Sequence, residues 1–312
     1  MEQSLRFINP EELANVSDLQ LLARTVVDGL MSGLHRSPHS GSSIEFAQYR
    51  PYTQGDDLRK VDWRLFGRTD RLHIKQFEEE TTMRTTVLLD CSGSMDYTSH
   101  AVTKFDYARM LAATLAVLLR RQRDAVGLIA YHHELIKYIS PMSNDRHIRR
   151  ILVELDNVDP EGHTDTPGAL TYLGNVLKPH GMVILISDLL HPIDEMIDHL
   201  KSLSARNQDV LVMQISDPAE QTFPFDETLT FVDAETGEEQ FAVPDAVREQ
   251  YLANRQEHFE KIRHECLQAE IEITEFTTSE PLDRALHFYL NHRTQMSSKV
   301  GASKRRVVGG TS

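Results

Sequence analysis

Four largely apolar runs of strand length constrain this chain more than any other feature. They are residues 86–89, 125–131 (AVGLIAY), 182–187 (MVILIS) and 210–215 (VLVMQI). A strand apolar at every position is buried on both faces. Helical spacing fills the gaps: 105–123, with Tyr107, Leu111, Leu115 and Leu118 on one side, then 145–155 and 193–205. Another helix opens at Thr166-Pro167, read as N-cap and first helical position. Strand–helix–strand alternation with continuous apolar strands predicts an α/β domain, a doubly wound, mostly parallel sheet with helices on both faces. Residues 135–139 read as a further strand ended by Ser140-Pro141, 270–276 as the last strand, and 281–290 as the last helix.

Two regions do not follow the alternation. From 217 to 268 lies an insertion, read as a hairpin turning near Glu235-Thr236-Gly237 and a long charged helix from about 245 to 268. Ahead of the first strand, a helix at 18–34 is broken by a Gly-, Pro- and Ser-rich stretch. A mixed aromatic and charged segment with irregular strands follows it. The expected organisation is an N-terminal segment, 1–83, packed on the core; an α/β domain, 84–291; and a small, polar, basic, disordered tail, 292–312.

The composition narrows the function. Thirty-three basic against 47 acidic residues give a formal charge of -14, which argues against general nucleic-acid binding. The two cysteines, Cys91 and Cys266, form no metal-binding spacing and no disulfide framework, which fits a reducing cytoplasm. No signal peptide is read at the N-terminus, and the apolar run 110–119 is far short of the ~20 residues of a membrane span. A cytoplasmic protein without direct membrane insertion is expected.

In an open parallel sheet, ligands bind beyond the carboxyl ends of the strands. The first strand runs into Asp90-Cys91-Ser92-Gly93-Ser94, the run 182–187 runs into Asp188, and the loop before the helix that feeds 182–187 carries Thr164. Asp90, Ser92 and Ser94 alternate, so their side chains can face one centre while Cys91 points away as a small packed residue. Together with Thr164 and Asp188 they offer two carboxylates and three hydroxyls, the hard-oxygen chemistry of Mg²⁺, with Mn²⁺ also compatible. At most five protein ligands leave at least one position of an octahedron open.

The order Asp90-x-Ser92-x-Ser94, Thr164, Asp188 resembles the metal-ion-dependent adhesion site of von Willebrand factor A domains. The upstream block YRPYTQGDDLRKVDWRLFGRTDRLHIKQFEEE, followed by LLDCSGSM, resembles the bacterial domain-of-unknown-function-58 family. The resemblance implies an A-domain-like fold and a non-enzymatic interaction module. An open site of that type can accept a carboxylate from a partner. It also implies a MoxR-type AAA+ ATPase as partner, which no residue here demonstrates. The insertion has no counterpart in the resemblance.

The rival reading is a Mg²⁺-dependent phosphohydrolase, since an aspartate after the first strand also opens haloacid-dehalogenase-like sites. That chemistry expects a second aspartate where this chain has Ser92. No G-x-S-x-G elbow, P-loop or G-x-G-x-x-G is present. Three further readings are bland ones. His132 and His133, adjacent on a strand, would point to opposite faces. Trp63 would be a packing anchor. Arg50, Asp56, Asp57, Arg59 and Asp62 would form an ion-pair network holding the N-terminal segment.

Overall fold

The computed structural model describes residues 10–14, 16, 18–36, 48–53, 61, 63–76, 83–191 and 193–294. They fall into two compact units, one drawn from 1–30 and 83–312 and the other from 31–82. The chain begins with helices α1 (Pro10–Ala14) and α2 (Leu19–Arg36). The smaller unit holds an antiparallel pair, β1 (Gln48–Pro51) with β2 (His73–Gln76), and the short helix α3 (Trp63–Thr69). Trp63 is not a packing anchor. It opens α3 and is 60% exposed, its ring edge-on to Phe66 at 6.2 Å. The ion-pair network expected at Arg50, Asp56, Asp57, Arg59 and Asp62 lies outside the residues whose side chains are described.

The larger unit carries the alternation. In chain order come β3 (Arg84–Asp90), α4 (Lys104–Arg121), β4 (Ala125–Tyr131), β5 (Leu135–Met142), α5 (Asp145–Asp156) and α6 (Thr166–Val176). Next are β6 (Met182–Ser187), α7 (Asp194–Ala205), β7 (Asp209–Ser216), α8 (Pro218–Thr222), β8 (Leu229–Val232) and β9 (Glu239–Ala242). The last elements are α9 (Pro244–Gln268), β10 (Glu272–Thr277) and α10 at residues 282–294.

Six strands form one sheet in the order β10-β7-β6-β3-β4-β5, and β8 pairs separately with β9. Every neighbouring pair in the six-stranded sheet is parallel except β4 with β5. β5 does not stop at Ser140 as expected but runs through Pro141 to Met142. It is an edge strand, where a missing N–H forfeits no ladder bond.

Pleat alternation sends successive residues to opposite faces. Leu88, Ile129, Val183, Leu185 and Val212 join one buried cluster with residues of α6, α7 and α9. α4 packs against β3, β4, β6 and β7 and is buried nearly all round, as a helix at the centre of a domain must be. Its N-cap is Thr103, whose hydroxyl accepts from the Asp106 N–H. The α6 N-cap is Asp165, accepting from Gly168 N–H at 2.9 Å, and not Thr166, which is already the first helical residue.

At the opposite end of the sheet, α10 is tied down by ion pairs. His292 bridges Asp209 of β7 and Glu272 of β10, and Arg293 pairs with Asp124. Both residues were expected in the tail; they belong to the last helix.

Candidate functional site

The strand order creates a switch point. From β3 the chain crosses to β4 on one side, while β6 comes to pair on the other, so the loops leaving β3 and β6 diverge over a crevice. Asp90 ends β3 there, and Asp188 follows Ser187, the last residue of β6. Backbone bonds stitch the loops together. Cys91 N–H donates to Tyr131 O, Gly93 N–H to Gly162 O (2.7 Å each), and Asp165 N–H to His132 O (2.8 Å).

The five predicted oxygens are brought together. Asp90 Oδ1 accepts from the Ser92 N–H at 3.0 Å; the Ser92 and Ser94 hydroxyls are 3.1 Å apart; Thr164 Oγ1 lies 3.4 Å from each Asp90 oxygen. The Ser94 hydroxyl also faces the Asp188 carboxylate. Asp90, Ser92 and Asp188 are buried; Ser94 and Thr164 are half-buried. Cys91 is packed away from the cluster, and burial together with the Asp90 charge pushes its thiol up, so it is no nucleophile.

The electrostatics are strained. Burial and the Asp188 charge raise Asp90 to about 7, despite hydrogen bonds from Ser187 (2.6 Å) and Ser92. Burial works upward on Asp188 too, but the Lys104 ammonium at 2.8 Å brings it below the usual carboxylate range. Lys104 is fully buried in the first turn of α4 and also binds Glu220 at 2.6 Å. Glu220 stays raised, because burial outweighs its lysine.

Sequence reasoning missed Lys104, Ser187, Glu220 and Glu235. Ser187 could have been found, as the residue before Asp188 at the end of an apolar strand. Glu220 is fixed by a capping box at the start of α8, with Asp217 as N-cap, a D-P-x-E pattern readable in sequence. Glu235 arrives from the β8–β9 turn. Its neighbours are exposed, but it is half-buried, with its carboxylate facing the Thr164 N–H and the Ser94 hydroxyl.

The donor set fits a hard divalent cation. Among the described residues no three His, Cys, Asp or Glu side chains form a metal-binding group, so a cation here would rest on two carboxylates and three hydroxyls. The buried charges favour it. Counted as ionised, Asp90, Asp188 and Glu220 against the one ammonium of Lys104 carry a formal charge of -2, an excess that a divalent ion offsets.

His132 and His133 do not point apart. They lie in the turn after β4, not on the strand, and their rings stack at 4.2 Å, with His163 a further 5.0 Å from His133. Among the described residues no helix is long and apolar enough to cross a membrane.

The fold and site define an α/β protein with an oxygen-lined cleft at the switch point of a doubly wound sheet. The family model "Protein of unknown function DUF58" matches residues 48–261, and the chain belongs to that family. Similar proteins include uncharacterized proteins of Mycobacterium tuberculosis and Mycobacterium bovis, each 26% identical over 247 residues, 78% of this chain and 77% of theirs. Similar solved structures include the conserved hypothetical protein BatB from Bacteroides thetaiotaomicron (14% identity, TM-score 0.46, covering 69% of this chain and 99% of that one). The VWA domain of SpRpn10 is another (9% identity, TM-score 0.41, covering 66% and 94%).

Proposed function

We propose that this protein is a non-enzymatic, metal-dependent interaction module. Asp90, Ser92, Ser94, Thr164 and Asp188 would hold Mg²⁺, or Mn²⁺, and the bound ion would supply a coordination position for a carboxylate of a protein partner. The single observation that supports this best is the convergence of five oxygen side chains from three loops at the switch point. Ser187 and the Ser92 N–H orient Asp90, and Lys104 orients Asp188. The three hydroxyls add donors without adding charge that would repel an incoming acid. The family resemblance points to a MoxR-type AAA+ ATPase as the partner, in assembly or maturation of protein complexes in the cytoplasm.

The test has two stages. Mg²⁺ should raise the melting temperature, since a ligand that binds only the native state stabilises by mass action. Asp90→Ala and Asp188→Ala should each remove most of that shift. Partners retained from a lysate in Mg²⁺ should then be lost in EDTA and by Asp90→Ala. Retention under both conditions would sink metal-carried recognition.

A further inference from the structure

The β8–β9 hairpin belongs to the insertion, yet its turn lies over the oxygen cluster. Asp233 braces the turn: its carboxylate accepts from the N–H groups of Glu235 (2.8 Å) and Thr236 (3.0 Å), and its carbonyl from Gly237 N–H (2.8 Å). Gly237 takes φ +72°, a conformation that glycine adopts at no steric cost. The turn then presses onto the loop after β3. A Cβ at Gly93 would lie 2.5 Å from the Ala234 carbonyl oxygen, so only glycine permits this approach. Glu235 is the residue turned inward, towards Ser94 and the Thr164 N–H.

The base of the hairpin is held differently from its tip. Phe231 packs on Phe223 and Phe225 at 5.7 and 5.6 Å between ring centroids. Beyond it, Val232 is 59% exposed and Phe241 71% exposed. Among the described residues the hairpin pairs with no other strand. A lone two-stranded hairpin is marginally stable by itself, so its tip stays in place only through contacts such as those at Gly93, Ser94 and Thr164.

We propose that this hairpin is an internal competitor for the site. The Glu235 carboxylate covers the side from which a partner's carboxylate enters, and recognition requires the tip to swing away about its Phe231 anchor. This rests on the metal-dependent reading above and adds regulation to it. The partner's chemistry follows: an exposed Glu or Asp on a turn that can take the place of Asp233–Gly237. The apparent affinity of such a partner is reduced by the fraction of molecules whose tip is displaced. A tethered ligand also acts at an effective concentration of roughly millimolar, so only a partner with further contacts displaces it.

The experiment compares the full chain with its Glu235→Ala variant, in Mg²⁺ and in EDTA. The probe is a labelled peptide of residues 227–243 and the same peptide with alanine at the Glu235 position. In Mg²⁺ the Glu235→Ala protein should bind the natural peptide at least ~10-fold more tightly than wild type does. The alanine peptide, and EDTA, should abolish binding. Hydrogen exchange of the amides of 233–238 should accelerate by ~10-fold or more in the variant, because the tip has lost its contact. Equal peptide affinity or equal exchange in the two proteins, with the Mg²⁺ melting shift intact in both, overturns the latch and leaves the metal site standing. Absence of a Mg²⁺ shift in wild type overturns the metal site, and the latch with it.

Discussion

Lys104 is the side chain whose removal tests the electrostatics of the cleft most directly. Its ammonium is fully buried and donates to Asp188 at 2.8 Å and Glu220 at 2.6 Å. Lys104→Met keeps most of the side-chain length and deletes the charge together with its hydrogen-bond donors. Two carboxylates then lose their counter-ion, and the formal charge of the buried group deepens from -2 to -3. Breaking a buried pair from one side costs about 3–5 kcal/mol, because the orphaned charge keeps its desolvation penalty. Asp188 is nearly as buried as Lys104, so the upper half of that range is expected in EDTA at about pH 8. The deficit should shrink towards about pH 5, where protonation of the carboxylates removes the orphaned charge. It should shrink again when Mg²⁺ is added, because a divalent ion replaces the lost positive charge. Urea unfolding followed by far-ultraviolet circular dichroism is the suitable assay; the sole tryptophan, Trp63, is already 60% exposed and reports poorly on the core. A loss below about 1 kcal/mol, the range of exposed ion pairs, would refute the reasoning.

Two pH dependences follow from the same kind of argument. Asp90 has a folded pKa of about 7, above its unfolded value of 3.8, so its charge penalises the native state increasingly as pH rises between those values and fully above the upper one. In EDTA, melting temperatures should therefore climb as pH falls from about 8 towards about 5, and Asp90→Asn should flatten the profile; parallel profiles for the two proteins would reject this. Burial pulls His292 down, but Asp209 and Glu272 outweigh it and hold it above 6.5. Its ion pairs stabilise fully below the unfolded value and are lost as pH rises through the folded one. His292→Gln should thus cost stability at about pH 6 and little at about pH 9, read from urea midpoints; an equal cost at both would show that only packing is involved.

The sheet was legible because its central strands β3, β4, β6 and β7 are buried on both faces and therefore mostly apolar, a pattern few other structures tolerate. β4 and β6 occupy the spans read from the sequence. The misreadings were local and had identifiable competitors. Asp165 outcompetes Thr166 as cap because Thr166 Oγ1 is engaged by the Tyr131 hydroxyl at 3.0 Å. The strand period was extended two residues past Tyr131, so the stacking of His132 on His133 in a turn was missed. Of the cleft, the residues next to strand ends were readable. Lys104, Glu220 and Glu235 were not readable as cleft residues, since each has a local role in its own element that accounts for it without the cleft. Lys104 reads as an ordinary first-turn residue, Glu220 as a cap, and Glu235 as a turn.

The order β10-β7-β6-β3-β4-β5 also sets a timetable for synthesis. The strands made first, β3 to β5, are consecutive neighbours and can pair as soon as they leave the ribosome. β6, β7 and β10 then add one after another on the free side of β3, each later in the chain and each farther from the first edge. Domains generally fold as units, so the sheet can be completed only after its later strands have been made. Until β6 is added, Asp90 sits beside an unpaired edge without Asp188. The acidic pair and its lysine partner therefore come together only once the fourth strand is in place, and the covering hairpin only after β7. A nascent chain that has made β3 to β5 but not β6 leaves the β6-facing edge of β3 unpaired, and an unpaired strand edge is a template for pairing with another copy.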